Sequence, residues 1–324
     1  MRWRVVCFAA ALAAATAFGV LSAAAQQYPS GSIRIIASFG AGTSGDLMIR
    51  LVGERLSEKL KQAVIIENRP GGAGIPANQF VAAAQPNGYT LLMSAMSLVT
   101  NAGLYESLPY DPIKDFAPIG VIGSVPLVMI AHPKAGFSSV AELIARAKAN
   151  PKTLNFASSG TGTGGHLATE LFMRMTGAEL VHVPYRGGNP ALTDLLAGHV
   201  QGFITGVPPV LEFINRKELL PIIVTSAERL TTLPDTPTGK DVGLPDYTVD
   251  IWFGLLAPAG TPSAVTQLLS KEIAEIIRDP AINAKFAAQG AIPVGSTPEQ
   301  FAAIIRRDLD RWPPIMRAAG IKPQ

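Results

Sequence analysis

Three loops hold the residues of this chain best suited to chemistry. The first is Phe39 followed by Gly40-Ala41-Gly42-Thr43-Ser44-Gly45-Asp46. The second is Ser158-Ser159-Gly160-Thr161-Gly162-Thr163-Gly164-Gly165, and the third is Pro184-Tyr185-Arg186-Gly187-Gly188-Asn189. Each stands between a stretch that reads as a strand and one that reads as a helix. A glycine-rich turn feeding a helix N-terminus offers backbone N–H groups without intrahelical acceptors, at the positive end of the helix dipole. That suits a small anion, a carboxylate included. Asp46 also suits the first turn of a helix in its own right. Tyr185 is placed to pack on an apolar ligand body. Arg186 is placed to pair with a carboxylate or to stay solvated at a loop tip.

Other chemistries fit less well. Gly40, Gly42 and Gly45 match G-x-G-x-x-G, and Glu67 lies 22 residues past the last glycine, the spacing of a dinucleotide fingerprint. Three features oppose that reading. Asp46 would face a bound pyrophosphate, Arg69-Pro70-Gly71-Gly72 makes another turn where an adenosine edge is wanted, and the chain reads as exported. Arg2 and Arg4 precede an apolar run over 5–21, and Ala23-Ala24-Ala25 supplies an A-x-A exit, so a secretory leader cleaved after Ala25 is expected. Nicotinamide dinucleotides are cytoplasmic, so no cofactor is expected. Cys7, the only cysteine, falls in the leader, which rules out disulfides and thiolate chemistry in the mature chain. His132, His166, His182 and His199 stand in no zinc-binding spacing. His166 near Ser158 and Ser159 raises Ser–His chemistry, but no G-x-S-x-G elbow accompanies it. Losing the two leader arginines brings the formal charge from +3 to +1, too little for a nucleic-acid surface.

The elements that must position these loops alternate in type. Strands are expected over 32–38, 63–68, 90–94, 127–131, 154–157, 180–183, 202–205, 221–225 and 251–257. Helices are expected over 46–61, 75–84, 166–176, 190–197, 263–278 and 280–289. Another helix is opened by the capping box Ser139-x-x-Glu142 and runs to Ala149, and a last one is capped by Thr297-Pro298-Glu299-Gln300. The alternation predicts an α/β fold with mainly parallel sheets. At about 300 mature residues the chain is long enough for two lobes. Stretches 120–126 and 244–252 read as two crossovers, which gives a first lobe of 26–123 plus 251–324 and a second of 124–250. Trp252 and Phe253, at the return crossover, read first as core packing, with a hinge or ligand contact as the second reading.

Taken together, these motifs resemble the Bug-type solute receptors of tripartite tricarboxylate transporters. The resemblance spans nearly the whole mature chain. It is carried by Ser38-Phe39-Gly40-Ala41-Gly42-Thr43-Ser44-Gly45-Asp46, Glu67-Asn68-Arg69-Pro70-Gly71 and Pro86-Asn87-Gly88-Tyr89-Thr90-Leu91-Leu92. Leu108-Pro109-Tyr110-Asp111-Pro112 with Asp115-Phe116, Asn155-Phe156-Ala157-Ser158-Ser159-Gly160, His182-Val183-Pro184-Tyr185-Arg186-Gly187 and Trp252-Phe253-Gly254-Leu255-Leu256-Ala257-Pro258 complete it. The resemblance implies a type II-like periplasmic-binding-protein fold: two α/β lobes of mixed, mainly parallel sheet flanked by helices, joined by two crossovers and closing on a ligand. It implies that Phe39–Asp46 holds a carboxylate through backbone amides and water, with Ser158, Ser159, Gly160, Thr161, Tyr185, Arg186 and Gly187 touching the ligand from the other lobe. Ser94 and Thr205 complete the candidate contacts. Two departures from the family pattern stand out. Ser38 and Ala41 replace prolines and Thr43 a glycine in the first loop, and Thr205 stands where many members carry Asp, which disfavours a cationic amino acid. The expected protein is a monomeric periplasmic receptor that passes a small organic anion to membrane transporter subunits without chemistry. A sensor component and an exported enzyme stay open as alternatives.

Overall fold

The computed structural model describes residues 28–288, 290–318 and 320–321. The leader and its cleavage point at Ala25 lie outside the described residues. In chain order the elements are β1 (Ile33–Ala37), α1 (Ser44–Leu60), β2 (Val64–Asn68), α2 (Ile75–Ala82), β3 (Thr90–Ala95), α3 (Ser97–Leu104) and β4 (Phe116–Ala131). Then come α4 (Val140–Ala149), β5 (Asn155–Ser158), α5 (Gly164–Thr176), β6 (Val181–Pro184), α6 (Gly188–Ala197), β7 (Gly202–Gly206), α7 (Leu211–Asn215) and β8 (Leu220–Val224). β9 (Asp250–Pro258), α8 (Ser263–Ile277), α9 (Pro280–Ala288), β10 (Ile292–Pro293) and α10 (Pro298–Ala318) close the chain.

The strands run β2-β1-β3-β9-β4-β7-β5-β6, with β8 and β10 added on β4. β1 pairs parallel with β2 and β3, and β5 pairs parallel with β6 and β7. β9 runs antiparallel to β3 and to β4, β4 runs antiparallel to β7 and β8, and β4 is shared by both halves: Phe116–Pro126 pairs with β9, and Leu127–Ala131 pairs with β7 and β8. The result is the expected two-lobed α/β architecture. β1 shows why its residues make an interior strand. Ile33 and Ile35 enter one core and Ile36 the other, as a parallel strand covered on both faces requires. β9 alternates likewise: Phe253, Leu255 and Ala257 face the core with α1 and α8, and Trp252 and Leu256 face the core with α10.

Two differences from the sequence expectation matter. Residues 120–126 do lead across between the halves, but as the middle of the continuous strand β4. Pro118, Gly120, Gly123 and Pro126 read as breakers, and β4 absorbs them through register shifts between Pro118 and Gly120 and between Val121 and Gly123. α3 and α7 were not expected either, being short and without capping signals. The capping boxes formed. Thr297 Oγ1 accepts from Gln300 N at 3.2 Å while Gln300 Oε1 accepts from Thr297 N at 2.9 Å. Glu142 reaches one residue further back than the box prescribes, accepting from Ser138 N at 2.7 Å, while Ser139 Oγ accepts from Glu142 N.

Where the chain passes between the halves, fully buried Thr225 ties both passages together. Its N–H donates to Leu127 O at 2.9 Å, and Leu127 N donates to its Oγ1 at 2.8 Å. The hydroxyl donates to Val249 O at 2.6 Å, directly before β9. Behind this point lies α10. Trp252 Nε1 donates to buried Asp308 at 2.8 Å, and Arg311 donates to the carbonyls of Thr248 and Asp246 at 2.9 Å each. Replacing Thr225 by Val keeps the volume but strands a buried N–H and a buried carbonyl, at about 1–3 kcal/mol for each unmade bond. Thr225→Val is therefore expected to lower the denaturant midpoint clearly with an unchanged m-value, and a midpoint equal to wild type would show that the hydroxyl ties nothing.

Candidate functional site

The first and second loops fold alike, residue for residue. Gly42 and Gly162 both take left-handed backbone, at φ +78° and +76°, which favours glycine. Thr43 and Thr163 follow as the N-cap residues of α1 and α5, with φ/ψ of −75°/161° and −72°/161°. Neither threonine caps in the ordinary way. Thr43 Oγ1 donates to Gly40 O at 2.8 Å, and Thr163 Oγ1 donates to Gly160 O at 2.7 Å. The third helical residue then reaches back: Asp46 Oδ2 accepts from Gly42 N at 2.9 Å, and His166 Nδ1 accepts from Gly162 N at 3.0 Å. An N-cap side chain normally accepts from the second or third helical N–H. Here that acceptor is turned away, and no side-chain cap bond forms in either helix. The N–H groups of Ser44 and Gly45, and of Gly164 and Gly165, are left pointing out of the helix ends at the positive pole of the dipole.

Both helix ends converge on one face of β9. A Cβ on Gly45 would lie 2.5 Å from the Phe253 ring, and one on Gly164 would lie 3.1 Å from Ile251. Only glycine lets α1 and α5 come this close. Ile251 and Phe253 are two apart in a strand, about 6.6 Å, and share a face. Phe39 packs edge-on against Phe253, ring centroids 5.4 Å apart. Leu104 of α3 reaches across to the second loop, 2.5 Å from where a Cβ on Gly162 would sit.

Around this floor the candidate residues are placed unevenly. Phe39 and Gly40 are half-buried, and Ala41, Gly42 and Thr43 are exposed. Asp46 is 2% exposed and spends its carboxylate on the fold: besides Gly42 N it accepts from Arg50 Nε at 3.0 Å and from Asn68 Nδ2 at 2.8 Å. Burial pushes its pKa up, but the hydrogen bonds from Arg50, Gly42 and Asn68 and the Arg50 charge outweigh this and hold it below the ordinary 3.8. Ser158 is fully buried, its Oγ 2.6 Å from His182 Nε2. Burial, then the neighbouring His166 ring, push His182 down to about 4. Ser159 and Gly160 are half-buried, and Thr161 is exposed.

The third loop is laced to the second: Tyr185 N donates to Ser158 O at 3.0 Å, and Gly187 N donates to Ser159 O at 3.2 Å. The Tyr185 hydroxyl is committed to Asp194 Oδ2 at 2.6 Å; burial and that carboxylate push its pKa up to about 12. Arg186 is exposed and, among the described residues, enters no ion pair. Thr205 is half-buried at the C-terminal end of β7, opposite Val128.

All three loops and Thr205 thus lie at the C-terminal ends of parallel strands, where α/β sheets place their ligands. Ser94 does not join them. It is opposite Gly254, so it faces away from Phe253, and it is fully buried, donating to Asn78 Oδ1 at 3.2 Å beneath Ser38. The ligand-facing role expected for Ser94 is corrected to a supporting one. Glu67, the acid of the dinucleotide spacing, is held by Arg69 at 2.6 Å and Arg34 at 3.6 Å. The sequence reading weighed Phe253 only as a second-choice ligand contact, and missed Ile251 as its partner in the floor, Leu104 beside the second loop and His182 beside Ser158. The repeated spacing Gly-x-Gly-Thr-x-Gly at 40–45 and 160–165 was the available signal for the matched pair.

The family model described as "Tripartite tricarboxylate transporter family receptor" matches residues 48–321. The chain belongs to this receptor family. Members are periplasmic solute receptors rather than enzymes. Protein BugT of Bordetella pertussis (strain Tohama I) is 37% identical over 310 residues, 95% of each chain. Among solved structures, an R. palustris protein with adipate superposes with a TM-score of 0.77 at 34% identity, covering 92% of this chain and 100% of that one. MatC of Rhodopseudomonas palustris, with bound malate, superposes at 0.72 and 25% identity, covering 89% and 99%. The receptor family's fold and the two-lobed α/β architecture of this chain agree.

The Asp46 geometry has a pH consequence. Its folded pKa is depressed, so the stability it contributes is fully present above the unfolded value near 4 and is lost as pH falls through the lower folded value. Asp46→Asn keeps an acceptor for Gly42 N but not the ion pair with Arg50. The stability gap between wild type and this variant is expected to be constant from pH 5 to 7 and to close toward pH 2 in thermal unfolding. A gap that widens on acidification would contradict the pairing.

Proposed function

We propose that this chain is a periplasmic receptor that captures a small carboxylate, a dicarboxylate first of all, in a cleft between two lobes and delivers it to a tripartite tricarboxylate-type membrane transporter. One observation carries the reading: two matched glycine loops present uncapped helix N-termini toward one face of β9. A carboxylate at either end satisfies N–H groups that the helix caps leave unserved, and two such ends suit an acid with two carboxylates. Adipate and malate, bound by the two R. palustris relatives, are both of that kind. Phe39 to Thr43 and Ser44 to Gly45 would receive one end. Ser159, Gly160, Thr161, Arg186, Gly187 and Thr205 would face the ligand from the second lobe, with Tyr185 as an apolar wall. Asp46 and Ser158 would shape the loops from beneath.

The lobes in this reading are 26–123 with 251–324, and 124–250. Closure would pivot on β4 and the Thr225 tie, bring the second loop and Leu104 over the ligand, and exclude water from the carboxylates. The receptor would act as a monomer, after removal of a leader ending near Ala25, and would perform no chemistry.

Thermal unfolding of the mature protein tests this against adipate, malate, monocarboxylates, aromatic acids and amino acids, with NAD as a control. A ligand at 100 times its Kd stabilises by about 2.7 kcal/mol. That raises the midpoint by several degrees in a protein of this size. A shift with dicarboxylates is expected. Gly42→Asp puts a charge into the first loop at a left-handed position with open space around the Cβ, so it is expected to abolish the shift while the fold survives. No shift with any acid, or a shift with NAD alone, would overturn the reading.

A further inference from the structure

The two loops share a shape but not a charge, and the difference lies in the residue that clasps the left-handed glycine. In the first loop it is Asp46, an anion offset by Arg50 one turn on, 3.0 Å away. In the second it is His166, and the residue one turn on is Glu170. A backbone N–H can only donate, so His166 Nδ1, 3.0 Å from Gly162 N, must carry the lone pair. The ring proton then sits on Nε2, which faces Glu170 Oε1 at 3.5 Å. The clasp therefore depends on the Nδ1 lone pair, because a proton on Nδ1 would break it. His182 of β6 lies flat on the His166 ring, centroids 3.7 Å apart and planes 8° off parallel, and burial and then that neighbouring ring disfavour a charge on His182. His182 in turn meets Ser158 Oγ at 2.6 Å. Ring, stack and hydroxyl lie under the second helix end with the Glu170 carboxylate one turn on, where the first loop has a carboxylate clasped to a guanidinium.

We propose that His166 is the charge selector of the carboxylate site: it shapes the second loop as Asp46 shapes the first, but places no carboxylate of its own at the positive end of α5, where the nearest acid, Glu170, stands one turn further along. The proposal rests on reading the paired loops as a carboxylate site. His166 acts through the loop and is a positioning residue that touches no ligand. An aspartate at 166 would make the same bond to Gly162 N, yet no arginine stands at 170 to offset it, and its charge would oppose an incoming carboxylate a few ångströms away. An asparagine would make the bond and stay neutral.

Calorimetry at neutral pH with adipate and malate as probes separates these cases. H166N is expected to bind within about threefold of wild type, and H166D at least about tenfold more weakly, as one uncompensated charge at short range implies. H166D/E170R rebuilds the pair that serves the first loop and is expected to recover most of that loss, with circular dichroism and thermal midpoints recorded for each variant. H166D binding as tightly as wild type, or H166N losing as much as H166D, would overturn the proposal. A two-bond ¹H–¹⁵N spectrum of the histidine side chains reads the clasp without any ligand. It is expected to show His166 protonated on Nε2 alone, and a proton on Nδ1 would overturn the proposal. A wild-type protein with that tautomer but no affinity for either acid would tell against the receptor reading instead.

Discussion

β4 and β9 run antiparallel from Phe116 and Pro258 to Pro126 and Asp250, and everything else is arranged around that ribbon. On one side of it sit the two glycine loops, with Gly45 against Phe253 and Gly164 against Ile251. On the other lies α10, with Trp252 bonded to Asp308. Because β4 continues past Pro126 into the second half of the sheet, the halves cannot drift apart as beads on a linker. Any change in their relation must twist the ribbon at Leu127 and Val249, where Thr225 bonds both chains. A strand pair is stiff along its length but yields to twist, and past Leu127 the pairing of β4 with β8 is itself irregular between Met129 and Ile130.

The matched loops show what the fold gives up to make a site. An ordinary N-cap hydroxyl contributes about 1 kcal/mol to its helix. Thr43 and Thr163 forgo that by turning to the carbonyls of Gly40 and Gly160. The loss is partly offset by the clasps of Asp46 and His166, which fix the glycines in left-handed backbone instead of leaving them mobile. What remains is a pair of helix ends whose first N–H groups have no side-chain cap. In the proposed receptor, stability withheld in this way would be available to binding, because a ligand would complete a bond that the fold left unmade.

How much of this the sequence disclosed depended on whether the cause was local. The loops, the helix starts at Ser139 and Thr297 and most strands were legible, because glycine at a left-handed turn and a hydroxyl three residues before Glu or Gln act within a few positions. β4 was only half legible. Its prolines and glycines are breakers by local rule, and only pairing with β9 turns them into bulges. Ser94 was misread because its facing depends on register: opposite Gly254 it points down, whereas Ala95, opposite Phe253, points up. The approach of His182 to Ser158 joins residues on neighbouring parallel strands, and no sequence spacing encodes it.

The same logic explains why the G-x-G-x-x-G match misleads here. In a dinucleotide fold the glycines clear room for a pyrophosphate, and an acid on the next strand takes the ribose. Here Gly40 and Gly42 have open space around them, but the third glycine, Gly45, clears room for Phe253 of the ribbon. The acid at 67 is bound by Arg34 and Arg69, with Arg69 stacked 3.8 Å over Phe80. Asp46 closes the turn on itself through Gly42. What the motif encodes is only its physics, a turn that bares a helix N-terminus. The use of that terminus is decided by what stands opposite, and opposite it on this ribbon is a second loop built to the same plan.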